Sequence, residues 1–341
     1  MGAMAEPEAE LRTYGGALRP GDPRDVPCAQ DEYERTNMPP VVPHFRSRYG
    51  GLWTDLSTAH DILTGKRQLG LVTEEEEARL RTWIDEGYVI LEGAVPHAVI
   101  DEALDELRRT LEHDLPPRKA EWWSESGKHF GVAGSDTMTF HAAKLLDLHL
   151  TSPATQRMIY HAPLARFLKL IFERPPLAFQ SLSMVQGTRQ PVHADTAFVR
   201  VSSALEFAAC WIALEDITPD SGELEYYPGS HALEEQLFDG RYKWVPEDTT
   251  VVPDYSERLH AAAQGAGLEL KRFLPKKGDA LFWAADLFHG GRDHVAEGKT
   301  RRSHVTHFCP LDRAPMYMVR DPSIPKHETV NGGWVCGDRW T

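Results

Sequence analysis

The spacing of apolar residues changes at Leu177, and that change limits the folds open to this chain of 341 residues. Before Leu177, apolar residues recur at helical intervals. After it they fall in short runs at 178–186, 192–201, 206–214, 223–227, 268–273, 279–284 and 301–308, each the length of a strand. Turn signals separate the runs: Pro219-Asp-Ser-Gly, Pro228-Gly and Lys277-Gly-Asp. Helices first and closely spaced strands afterwards predict an α+β chain built on a jelly roll or barrel.

The helical part has readable starts and stops. Thr73 with Glu76 three residues on is a capping box, followed by an apolar stripe of Leu80, Trp83 and Ile84 and closed by Gly87. Tyr88-Val-Ile-Leu reads as a strand, and Pro96-His97 opens a second helix with Ile100, Ala103, Leu104 and Leu107 inside. Residues 115–140 read as irregular, and 141–149 and 153–172 as further helices. The expected division is an N-terminal extension over 1–70 and a main domain over 71–320, with helices in 73–172 and core strands in 177–310. A lid-like insertion at 235–265 and an irregular tail over 321–341 complete it.

Composition excludes several classes. The formal charge of −14 argues against a phosphate-backbone partner, which needs clustered Lys and Arg. No apolar run approaches the roughly 18 residues of a membrane span. The opening residues show no secretory signal, and Cys28, Cys210, Cys309 and Cys336 form no CxxC pair or dense framework. A cytoplasmic protein with reduced thiols and a small-molecule substrate, binding neither nucleic acid nor membrane, is expected.

The chemistry concentrates in Pro191-Val-His-Ala-Asp-Thr. In a strand, residues two apart share a face, so His193 and Asp195 project together. Imidazole and carboxylate can take two adjacent positions on one metal. A third ligand would complete a two-His, one-carboxylate face with open positions, an arrangement that suits iron(II) oxygenases. His289 is the expected third ligand, because it directly follows the strand Gly278-Asp-Ala-Leu-Phe-Trp; His294, in the next loop, is its rival. Gly290 and Gly291 would admit close backbone approach. Arg301 and Ser303 alternate onto one strand face, where a guanidinium fork and a hydroxyl match a carboxylate. An HxD alone is common by chance, and Arg301 alone reads as a solvated edge residue. The three pieces in order are what carry the reading.

The motifs resemble the phytanoyl-CoA dioxygenase family. The likeness rests on His193-Ala-Asp195, Trp211-Ile-Ala-Leu-Glu-Asp-Ile, Asp220-Ser-Gly-Glu-Leu, Tyr227-Pro-Gly-Ser-His231, Gly278-Asp-Ala, His289-Gly-Gly and Arg301-Arg-Ser303, with Asp85-Glu-Gly-Tyr-Val-Ile-Leu-Glu-Gly as an opening strand. It implies a double-stranded β-helix, iron(II), O₂ and 2-oxoglutarate as co-substrate. It also implies Gln180 near the co-substrate and an aromatic, Trp211, at the co-substrate end of the barrel; a core role for Trp211 is an equal alternative. His231 reads as stabilising its turn. Related halogenases lack the carboxylate that Asp195 supplies here, so hydroxylation of a C–H bond is favoured. Desaturation, epoxidation or cyclisation at the same site is the alternative, and a non-catalytic 2-oxoglutarate-binding protein or a cupin-like Zn or Mn enzyme the rivals. By strand alternation, Phe198, Arg200, Ser183 and Trp283 are candidates for contact with substrate, although Arg200 also suits an edge salt bridge.

Overall fold

The helical half forms where its caps lie. In the computed structural model, which describes residues 43–112, 119–124, 126–140, 142–246, 254–293, 298–316 and 325–337, α1 spans Ala59–Gln68, α2 Glu74–Glu86 and α3 His97–Glu112. The Thr73 side chain accepts from Glu76 N while the Glu76 carboxylate accepts from Thr73 N, and Gly87 closes α2 in the left-handed region at φ 73°. Leu80, Trp83 and Ile84 are buried, as their spacing predicts.

The expected 153–172 helix is two, α4 at Pro153–Ile159 and α5 at Ala162–Phe172. Pro163 in the first turn of α5 forbids a continuous helix, because its ring removes a hydrogen bond and clashes with the preceding turn. Residues 43–70 are not a separate extension. Leu52, Ala59 and Leu63 lie in the same core as Leu80, Trp83 and Ile100, and Pro43–Thr341 cluster as one unit. No described helix is long and apolar enough to cross a membrane.

The strands are β1 (Tyr88–Leu91), β2 (Lys119–Ser124), β3 (Gly127–Val132), β4 (Lys144–Leu146), β5 (Pro176–Met184), β6 (Ala208–Ala213), β7 (Leu224–Tyr226), β8 (Lys271–Phe273), β9 (Ala280–Ala284), β10 (His289–Gly291), β11 (Ser303–Pro310), β12 (Lys326–Glu328) and β13 (Trp334–Cys336). A large sheet runs β1-β9-β6-β11-β5-β4-β2-β3, with the β12–β13 pair joined to β5; a small sheet runs β10-β7-β8.

Four expectations fail here. Residues 119–132 form a hairpin in which Trp122 stacks on His129 at 5.4 Å, not an irregular stretch. The helix expected at 141–149 is β4 and a short 3-10 turn, because Asp147 is left-handed at φ 57°. The tail contributes a strand, β13, parallel to β5. The strand expected at 192–201 is two isolated bridges, His193 with His289 and Val201 with Pro315, on either side of a 3-10 turn over Asp195–Ala197.

Alternation sorts the large sheet. Cys210, Ile212, Ala280 and Phe282 face the helices, while Ala209, Trp211, Ala213, Leu281 and Trp283 face the small sheet with Leu224, Tyr226 and Phe273. The candidate site opens on this second face.

Candidate active site

His193 and His289 are brought opposite one another by the bridge between their backbones, in which His193 N donates to His289 O at 2.8 Å and His289 N to His193 O at 2.9 Å. Two glycines make this approach possible: a Cβ on Gly290 would lie 2.9 Å from Gln190 O and 3.0 Å from Val192 N. Each imidazole donates from Nδ1 to the carbonyl two residues earlier, His193 to Pro191 O and His289 to Leu287 O, both at 2.9 Å. That bond fixes the tautomer with the Nε2 lone pair turned inward.

Asp195 offers the third candidate ligand from the start of its 3-10 turn, not from a strand. Its Oδ1 is 3.7 Å from both Nε2 atoms. The ligand atoms of His193, Asp195 and His289 all lie within 4.8 Å of one another. Twice a ligand distance of ~2.1 Å exceeds the 3.7 Å separations, so one ion can touch Asp195 together with either imidazole, and the three residues form a group that could hold a metal.

The electrostatics suit a cation. Burial pushes the Asp195 carboxyl up, but the imidazoles around it, with the hydrogen bond from His307, outweigh it and hold it well below the usual carboxylate range. Burial pushes His289 down to about 4, so it is a neutral donor at physiological pH. Gln190 lies with Nε2 3.0 Å from His193 Nε2, and its Oε1 accepts from Lys144 Nζ at 3.0 Å.

The three ligands open on a cavity of about 690 Å³ that also exposes Gln180, Trp211, Phe198, Trp283, Arg301 and His307. Arg301 is 2% exposed. Its Nε has no hydrogen-bond partner, its Nη2 meets only the Met184 sulfur at 3.5 Å, and its guanidinium lies 5.8 Å from the Trp211 ring. Burial pulls its pKa down to about 10, partly offset by the charge of Glu223. Among the described residues no acid forms an ion pair with it, so the fold buries a cation facing a cavity without a counter-ion in contact.

The family model for phytanoyl-CoA dioxygenase matches residues 83–303. The chain belongs to the phytanoyl-CoA dioxygenase family. Curated relatives are two phytanoyl-CoA dioxygenase domain-containing protein 1 homologs. The Caenorhabditis elegans protein is 27% identical over 175 residues, 47% of this chain and 56% of its own length. The Caenorhabditis briggsae protein is 27% identical over 88 residues, 25% of this chain and 31% of its own.

Among solved structures, the non-haem α-ketoglutarate-dependent carbocyclase SnoK of nogalamycin biosynthesis has TM-score 0.54 and 16% identity, covering 74% of this chain and 89% of its own. The epimerase SnoN of the same biosynthesis, solved with Fe³⁺ and α-ketoglutarate, has TM-score 0.52 and 19% identity, covering 70% and 85%. EctD from S. alaskensis, solved with 2-oxoglutarate and 5-hydroxyectoine, has TM-score 0.50 and 16% identity, covering 70% and 77%. These likenesses show the fold of this phytanoyl-CoA dioxygenase family member, an α+β double-stranded β-helix.

The other expected residues divide. Gln180, Trp211, Phe198 and Trp283 line the cavity; Phe198 is 53% exposed, with its ring 5.7 Å from that of His193. Ser183 does not line it. Gln180, Leu182 and Met184 face the cavity, so Ser183 faces outward, where its hydroxyl meets His304 Nδ1 at 2.9 Å. Ser303 is buried with its hydroxyl on Arg301 O at 3.4 Å and is not among the lining residues. Arg301 precedes β11 instead of lying within it, its N–H bonded to Val185 O at 2.8 Å.

Arg200 turns away, donating to Val245 O at 2.6 Å and lying 5.3 Å from the Trp244 ring. His231 meets Ile84 O at 3.2 Å and Arg46, and its ring fills the space a Cβ on Gly87 would need, a structural role as expected. His294 lies outside the described residues. Sequence reasoning missed Lys144, which lies on a strand read as helix, Gln190 and His307. The last was findable, since 301, 303, 305 and 307 share parity.

Proposed function

We propose that this chain is an iron(II)- and 2-oxoglutarate-dependent dioxygenase that hydroxylates a C–H bond of a small molecule. The observation that carries the reading is Arg301, buried without an acid in contact and aimed into the cavity that holds His193, Asp195 and His289. A buried, unpaired guanidinium is costly, and a dicarboxylate that fills its fork relieves that cost. The donor set fits as well: two imidazoles and one ionised carboxylate suit a divalent first-row metal and leave coordination positions open.

His193, Asp195 and His289 would hold the iron, and Arg301 the distal carboxylate of 2-oxoglutarate, with Trp211 as the apolar wall beside it and Gln180 as a nearby polar contact. Bound iron with 2-oxoglutarate and O₂ supplies the oxidising power, releasing succinate and CO₂ as the substrate gains oxygen. The chain's own part is to orient these groups and keep water out. Leu146, Leu182, Met184, Phe198, Val199 and Trp283 provide apolar cavity walls. The cavity volume of about 690 Å³ falls within the range of small-molecule sites. Desaturation, epoxidation or cyclisation would need only a different substrate pose over the same groups, and product mass separates these outcomes.

The test is succinate release from 2-oxoglutarate under air with Fe(II). Wild-type protein should release it, and His193→Ala or Asp195→Ala should fall to background. Turnover retained in either variant refutes the metal assignment. Iron-dependent 2-oxoglutarate binding without turnover, across a broad substrate panel, favours a binding protein.

A further inference from the structure

We propose that Trp283 and His307 are positioning residues that hold Asp195 as a one-oxygen ligand. The inference rests on the metal site proposed above and concerns what the two carboxylate oxygens do. A carboxylate can bind a metal through one oxygen or both. Here the oxygens are treated differently. Oδ1 lies 3.7 Å from each ligand nitrogen of His193 and His289. Oδ2 receives the Trp283 indole N–H at 2.7 Å and lies 3.2 Å from His307 Nε2. An ionised carboxylate only accepts, so His307 presents Nε2–H to it. Turning the carboxylate so that both oxygens face the metal would strand two buried donors, each at a cost of ~1–3 kcal/mol.

Both donors are themselves held in place. Trp283 sits in β9 with Ala209 and Tyr88 as its cross-strand partners, and its ring is 4.6 Å from that of His289, so one residue braces two ligands. His307 is central in the sheet, between Gln180 of β5 and Ala209 of β6, with the Phe179 and Phe207 rings 6.1 and 6.3 Å away. Its Nδ1 is buried without a hydrogen-bond partner. A buried imidazole left half satisfied is a cost, and among the described residues its hydrogen-bond contact is Asp195 Oδ2. A single-oxygen ligand uses three of six positions together with the two imidazoles, leaving three open. This role replaces the substrate contact expected of Trp283 from its sequence alone.

The experiment uses Co(II), whose visible absorption reports coordination number and whose binding needs no turnover. Trp283→Phe keeps the ring and removes the donor; His307→Leu removes the other donor, and His307→Gln restores an N–H. The expected result is Co(II) affinity about 10- to 100-fold weaker in Trp283→Phe and His307→Leu, with a changed visible spectrum. Metal-free thermal unfolding should stay near wild type in Trp283→Phe, and His307→Gln should recover most of the affinity. Wild-type affinity and spectrum in both donor-deleting variants overturns the proposal, as does a His307→Leu defect that His307→Gln leaves unrepaired. Wild-type protein that binds no Co(II) overturns the underlying metal site along with it.

Discussion

β5 and β11 bury polar residues on both of their faces, and the two faces put them to different uses. On the face toward the small sheet, Gln180, Arg301 and His307 line a cavity that contains Asp195. On the face toward the helices, Ser183 meets His304 at 2.9 Å and Ser181 meets His149 at 2.8 Å, with no cavity-lining residue among them. His304 and His307 are three residues apart and equally buried, 1% and 3% exposed. What separates them is the company: a carboxylate and open volume for one, a serine in a packed layer for the other. Burial of a histidine therefore says little about function until its partner and the space beside it are known.

The comparison can be broken by substitutions on either face. The largest effect should come from the inner face: Arg301→Leu should raise the KM for 2-oxoglutarate about 100-fold, in keeping with losing one partner of a buried charge pair, while leaving Co(II) affinity near wild type. A KM within a few-fold of wild type would mean that Arg301 holds something else.

Next is a pH effect at His304 on the outer face. Burial pushes His304 down to about 3 in the folded protein, against about 6.5 when unfolded. Between those values the unfolded chain binds the extra proton. The stability that depends on neutral His304 is thus complete above pH 6.5 and is lost as pH falls toward 3. Urea unfolding at pH 7 and pH 5 should show wild type losing about 2 kcal/mol more than His304→Gln over that interval. Parallel losses in both proteins would refute the assignment.

The smallest effect should be Ser183→Ala, which removes one outer-face hydrogen bond. It should cost about 1 kcal/mol in denaturant unfolding and leave the KM for 2-oxoglutarate unchanged. A large shift in that KM would place Ser183 at the site after all.

Local rules were legible in the chain where a residue's effect is local. The Thr73–Glu76 box, the Gly87 stop and strands β1, β5, β6 and β9 sit where their patterns predict. The grouping of His193, Asp195 and His289 was legible too, because the two glycines after His289 and the HxD spacing are both short-range signals. Strand parity was legible but underused. With Gln180 inward, Ser183 must face outward, and with Arg301 inward His307 shares its side.

Other features had no local signature. His193 and Asp195 do not share a strand face; they converge because a backbone bridge to His289 is followed by a tight turn. Lys144 and Gln190 reach the site only because β4 joins the edge of β5 and the 188–192 segment runs against Gly290 and Gly291. By itself, then, the sequence determined the family and singled out the three side chains that come together and the arginine that is buried beside them, since each is written in residue type and short spacing. Only the tertiary structure decided which oxygen of Asp195 is free, which histidine supports it and which serines are turned away. Those depend on which long-range strand pairings place donors and cavity on the same side of the sheet.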